Sequence, residues 1–133
     1  KRDKYSLRYY VRLAKELEKM GAHLLSIKDM AGLIMPGDAR DLITGIKDEM
    51  DILVDLHSHS TSGIASMSYQ AAIEAGVDIV DTAMSPFALG TSQPPTESVV
   101  ASLIAGIIPA WLGAEPERFP PRRMLMEPGA CRR

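Results

Sequence analysis

Apolar residues recur at Tyr9, Tyr10, Leu13, Leu17 and Met20, with Arg12, Lys15, Glu16 and Lys19 between them and Gly21 behind. Spacings of three and four predict an amphipathic helix that stops at the glycine. The apolar run 23–27, ended by Lys28, Asp29 and Gly32, predicts a strand, and Pro36 and Asp38 then open a second helical pattern through Leu42, Ile43 and Ile46. The same order recurs twice: residues 51–56 then 66–75, and residues 77–82 then 96–105.

Strands that alternate with helices at an even period predict parallel βα units, hence an α/β fold. Near-continuous apolar strands predict burial on both faces, as in doubly wound sheets and (β/α)8 barrels. Periodicity leaves that choice open. Lys28, His57, His59 and the loop after Thr82 all fall at C-terminal strand ends, where both architectures build their sites. There is no GxGxxG or Walker pattern to support nucleotide binding.

The chain has 133 residues, 46% apolar and 24% charged, which is one domain's worth or less and excludes disordered, collagen-like and coiled-coil classes. Fifteen basic against 17 acidic residues give a net charge of -2, no electrostatic footprint for nucleic acid or an anionic membrane. The longest apolar stretch, 99–112, is broken by Ser102, Gly106 and Pro109 and falls short of the ~20 residues that span a bilayer, so no transmembrane segment is expected. The charged start leads into an amphipathic pattern, unlike a secretory signal. A lone Cys131 excludes an internal disulfide and fits a reducing compartment. Residues 109–133 hold five of the nine prolines and continue no repeat, so they are expected to form an irregular Pro/Arg-rich tail after a unit spanning 1–108.

Three motifs carry candidate chemistry. In HSHSTSG, 57–63, the period of two along a strand turns His57 and His59 to the same face, where they could share one divalent ion. Two ligands do not complete a site, and two unrelated loop histidines are the plainer alternative. His23 starts a strand with no partner near it and reads as a surface or capping residue. In IKDMAGL, 27–33, Lys28 ends a strand that should be mostly buried, so it must pair with an acid, act as a neutral amine or be chemically modified. Asp29 points the other way in such a strand. In SPFALGTSQPPTE, 85–97, the residues Thr91, Ser92 and Gln93 read by spacing alone as turn and cap residues before a helix starting near Thr96.

Taken together and in this order, KDMAGL, HSHSTSG and GTSQP resemble strand-end motifs of the carboxyltransferase domain of biotin-dependent pyruvate carboxylases and oxaloacetate decarboxylase alpha chains, over roughly residues 9–106. The resemblance implies three parallel βα units from a (β/α)8 TIM barrel, equivalent to strands five to seven, preceded by the helix after strand four. It implies that Lys28 is carboxylated by CO2 and ligates a metal of the zinc, cobalt or manganese class together with His57 and His59. Thr91 would bind biotin's reacting end and relay a proton between biotin and the enolate of pyruvate. It further implies a biotin carboxyl carrier on another domain or chain, pyruvate and oxaloacetate as substrates, and a place in an oligomer or a larger chain. The location would be cytoplasmic, or peripheral to a membrane decarboxylase complex.

A family aspartate near the end of the first strand is the remaining metal ligand, and no residue before Lys1 is present to supply it. A full barrel takes ~250 residues and eight strands, so the chain is expected to be an inactive part of one. Its last residues depart from the family's amphipathic helix. A frameshift is one explanation, since codon degeneracy lets 112–122 be read one nucleotide later as LELNLSVFRR. Two other readings compete: an amidohydrolase-like barrel in which Lys28 and the histidines hold a water-activating metal, and a non-enzymatic βα module.

Overall fold

The computed structural model describes residues 5–111. Helix α1 (Leu7–Lys19) begins where the Ser6 hydroxyl accepts the Tyr9 N–H at 3.3 Å, relieving one of the unpaired donors of a first turn. It ends where Gly21 takes a φ of +97°, a left-handed turn that a side chain would strain. Strand β1 (Leu24–Asp29), helix α2 (Pro36–Lys47), strand β2 (Leu53–Ser58), helix α3 (Ala65–Glu74), strand β3 (Ile79–Val80) and helix α4 (Thr96–Trp111) follow. Pro36 opens α2 at a position whose N–H would have no partner.

The strands pair in parallel in the order β1-β2-β3, with Leu24 beside Leu53 through Asp29 beside Ser58, then Asp55 beside Ile79 and Leu56 beside Val80. The α/β reading with parallel strands is therefore what the chain forms. Leu25, Val54 and Leu56 turn to the helices, where Ala39, Ile43 and Ile46 of α2 and Tyr69 and Ala72 of α3 complete the core.

Burial on both faces, expected from the apolar strands, is found among the described residues only in the middle of β2, where Val54, Asp55 and Leu56 are all buried. Leu24 and Leu53 are 42% and 50% exposed on the face away from the helices, and β1 alternates because among the described residues nothing covers that face or pairs with its outer edge. The third strand is also shorter than the expected 77–82. At its start the Asp78 carboxylate accepts the Val54 N–H at 2.8 Å and the Lys47 ammonium at 2.9 Å, so a side chain fills the place of a ladder partner.

Helix α4 continues through Pro109 to Trp111, so the first three residues of the expected irregular tail are helical. The rest of that tail, with Cys131 and the segment read as frameshifted, lies outside the described residues. Among the described residues no helix is long and apolar enough to cross a membrane.

Candidate functional site

The parallel register builds the site. It sets Lys28 beside His57 on the face turned away from the helices, and the step after Leu56 beside Val80 brings Asp81 to the other side of His57. The Asp81 N–H donates to the Leu56 carbonyl at 3.2 Å, which fixes that step. Lys28, His57 and Asp81 thus form a row across the C-terminal ends of the three strands.

His59 follows β2 and is held by its backbone. Its N–H donates to the Asp29 carbonyl at 3.0 Å, and the neighbouring Ser60 N–H donates to the Ser92 carbonyl at 2.7 Å. Gly32 lies under this turn with φ +64°; a Cβ there would collide with the His59 carbonyl. The Asp29 carboxylate accepts the Leu33 and Ile34 N–H groups and the Ser58 hydroxyl at 2.9 to 3.0 Å. Burial alone would raise its pKa, but these donors and the Ala31 N–H together hold it below the ordinary carboxylate value.

Both imidazoles are fixed from behind. His57 Nδ1 lies 2.7 Å from Asp81 Oδ2, and His59 Nδ1 lies 2.6 Å from the Thr91 carbonyl oxygen. A carboxylate and a carbonyl can only accept, so each Nδ1 carries a hydrogen, and in the neutral rings each Nε2 keeps its lone pair. The two Nε2 atoms face each other at 3.0 Å, and the Gln93 amide nitrogen stands 3.3 Å from both, able to donate to each. Two lone pairs aimed at one point, each ring anchored through its other nitrogen, are a donor set suited to a divalent cation. Their separation falls within the span of two metal–nitrogen bonds of ~2.0 to 2.1 Å. The residues therefore fit such an ion, with two ligands from this pair; among the described residues no group of three or more His, Cys, Asp or Glu is gathered.

The loop that delivers Thr91 and Gln93 is tightly folded. Leu89 takes φ +68°, unusual for a residue with a side chain, and its N–H and carbonyl bond to the Gln93 carbonyl and the Ser92 N–H, each at 2.9 Å. At its start Glu97 accepts the Ser85 hydroxyl and N–H, and the hydroxyl holds the Glu97 carboxyl below its ordinary value.

The sequence motifs therefore gather unevenly. His57 and His59 meet. Lys28 shares their face, but it is exposed rather than mostly buried, because β1 is the outer strand of the described sheet, and among the described residues no acid pairs with it. Thr91 reaches the pair through its carbonyl; its side chain is exposed and makes no hydrogen bond among the described residues. His23 is exposed. Asp81 lies outside all three motifs, and Gln93 reads by spacing as a turn residue only; aligning the C-terminal ends of the three strands is the signal that would find Asp81.

Residues 2–108 match the HMGL-like family profile. The chain belongs to the HMGL-like family. This HMGL-like chain is 55% identical over 93 residues to pyruvate carboxylase of Bacillus subtilis, covering 70% of itself and 8% of that protein. It is 49% identical over 96 residues to the methylmalonyl-CoA carboxyltransferase 5S subunit of Propionibacterium freudenreichii subsp. shermanii, covering 71% of itself and 19% of the relative. In structure it matches the carboxyl transferase domain of Rhizobium etli pyruvate carboxylase with a TM-score of 0.75 at 48% identity, over 77% of the HMGL-like chain and 17% of that domain's chain. The HMGL-like chain thus spans less than a fifth of these proteins, and its three parallel strands match part of a carboxyltransferase TIM barrel.

Proposed function

We propose that the chain is the site-forming part of a biotin-linked carboxyltransferase that interconverts oxaloacetate with pyruvate and carboxybiotin. The observation that carries the reading is the imidazole pair, with both Nδ1 atoms committed to acceptors and both Nε2 atoms turned to one point. Its similarity to pyruvate carboxylase relatives gives that pair its reaction, and it favours this reading over a water-activating amidohydrolase or an inert module.

In this reading His57 and His59 hold a divalent ion of the zinc, cobalt or manganese class through Nε2. Lys28 adds a ligand once its neutral amine has attacked CO2, forming the N–C bond of a carbamate and releasing a proton; its exposure leaves the amine open to the gas. When bound, the ion supplies a Lewis acid that polarises the keto oxygen of the substrate. Asp81 and the Thr91 carbonyl orient the rings, and the Gln93 amide, which stands 3.3 Å from both Nε2 atoms, would turn aside for the ion. Biotin arrives on a carrier domain or partner chain. The proton relay assigned to Thr91 rests on the resemblance alone, whereas the geometry gives this residue a positioning role through its carbonyl.

Among the described residues three of a barrel's eight strands are present, and we infer that without the others the 133-residue chain does not hold two reactants together and is inactive by itself. The test is pyruvate formation from oxaloacetate in the presence of biotin, by a longer protein that continues this reading frame upstream. Turnover that His57→Ala abolishes supports the reading, and turnover indifferent to His57→Ala, or present in the 133-residue chain alone, refutes it.

A further inference from the structure

We propose that Asp81 is a positioning residue for the histidine pair: it locks His57 as the Nδ1–H tautomer and so aims the Nε2 lone pair at the point that His59 also faces. The inference rests on the metal-binding reading of that pair and extends it to a residue outside the three motifs.

Asp81 is placed by the backbone. Its N–H donates to the Leu56 carbonyl, which continues the β2–β3 ladder one step and brings its carboxylate level with the His57 ring. The Oδ2–Nδ1 distance of 2.7 Å is that of a strong, charge-assisted hydrogen bond. Without it, no other acceptor among the described residues holds the hydrogen of His57 on Nδ1. A hydrogen on Nε2 would point at His59 Nε2, 3.0 Å away, and close the site to a cation. His59 needs no such help, because the Thr91 carbonyl fixes its tautomer independently. Removing the acceptor from Asp81 should therefore disturb one ring and spare the other.

The experiment is nitrogen-15 NMR of the histidine side chains in the metal-free 133-residue chain, at one fixed pH, for the wild type, Asp81→Leu and Asp81→Asn. Leucine removes the acceptor at similar size, whereas the asparagine amide oxygen keeps one. The expected result is an Nδ1–H tautomer at His57 in the wild type and in Asp81→Asn, lost in Asp81→Leu, with His59 unchanged. Cobalt(II) affinity should fall about 10-fold to 100-fold in Asp81→Leu and recover in Asp81→Asn. An unchanged His57 tautomer in Asp81→Leu, or no recovery in Asp81→Asn, overturns the proposal. Failure of the wild type to bind cobalt(II) while the tautomer pattern holds would instead overturn the metal reading and leave the role of Asp81 standing.

Discussion

The His59 N–H donates to the Asp29 carbonyl at 3.0 Å, so the second histidine of the pair is held by the end of the adjacent strand as well as by its own. The residues from Asp29 to Ile34 thus serve as the support on which the histidine turn rests. That support explains why a glycine follows in KDMAGL: Gly32 takes φ +64° and lets the His59 carbonyl pass.

Gly32→Ala should consequently destabilise the chain and displace His59 together. A positive φ and a backbone collision both act against it, so the loss should exceed the ~1 kcal/mol scale of ordinary glycine replacements. Urea unfolding gives the first quantity, and the His59 nitrogen-15 shifts give the second. An alanine variant with unchanged shifts would show that the turn has room to spare.

The Asp29 carboxyl is held below its ordinary value, which ties stability to pH. Because its folded pKa is lower than its unfolded one, the stabilisation is complete above the unfolded value of ~3.9 and is lost as pH falls through the lower, folded value. Asp29→Asn should flatten that acid limb in urea titrations. Asp29→Ala, which leaves the Leu33 and Ile34 N–H groups and the Ser58 hydroxyl, among others, without their acceptor, should cost about 1 to 3 kcal/mol at neutral pH.

Tyr69 lies beneath the same strand end. Its buried hydroxyl accepts the Ser58 N–H at 2.9 Å and donates to the Ser58 carbonyl at 3.3 Å, and burial pushes its pKa up to about 12. Tyr69→Phe should lower stability by about 1 to 3 kcal/mol, since it strands a buried backbone donor beside His57 and His59. Calorimetry at neutral pH checks this, and an unchanged Tm would contradict it.

Thr91→Ala separates two roles. The variant keeps the carbonyl that orients His59, so cobalt(II) affinity should match the wild type. In a longer active protein, retained turnover would leave the carbonyl as this residue's contribution, whereas a collapse with metal binding intact would place the proton relay on its hydroxyl.

Much of this arrangement is legible in the chain. The helix of Tyr9 to Met20, the strands around Leu25 and Val54 and the glycine stops follow from periodicity, because each is decided by neighbours in sequence. The face shared by His57 and His59 follows from strand alternation. What periodicity does not supply is tertiary. Lys28 looks buried in the sequence because an apolar run does not reveal that its strand lies at the edge of the described sheet. Asp81 and Gln93 give no local signal because they meet the histidines only after β3 pairs with β2 and the loop of residues 85–97 folds back over the strand ends. The third strand looks longer in the sequence than it is because an apolar pattern does not show that the Asp78 side chain takes over a ladder hydrogen bond.

The proposed function requires that His57 and His59 bind one divalent ion between them. Cobalt(II) titration followed by visible absorption reports the ligand field as well as the affinity. The wild-type chain should show saturable binding with bands of imidazole coordination, and His57→Ala and His59→Ala should each abolish both. Equal binding in either variant, or the same spectrum in the wild type and both variants, would contradict the claim.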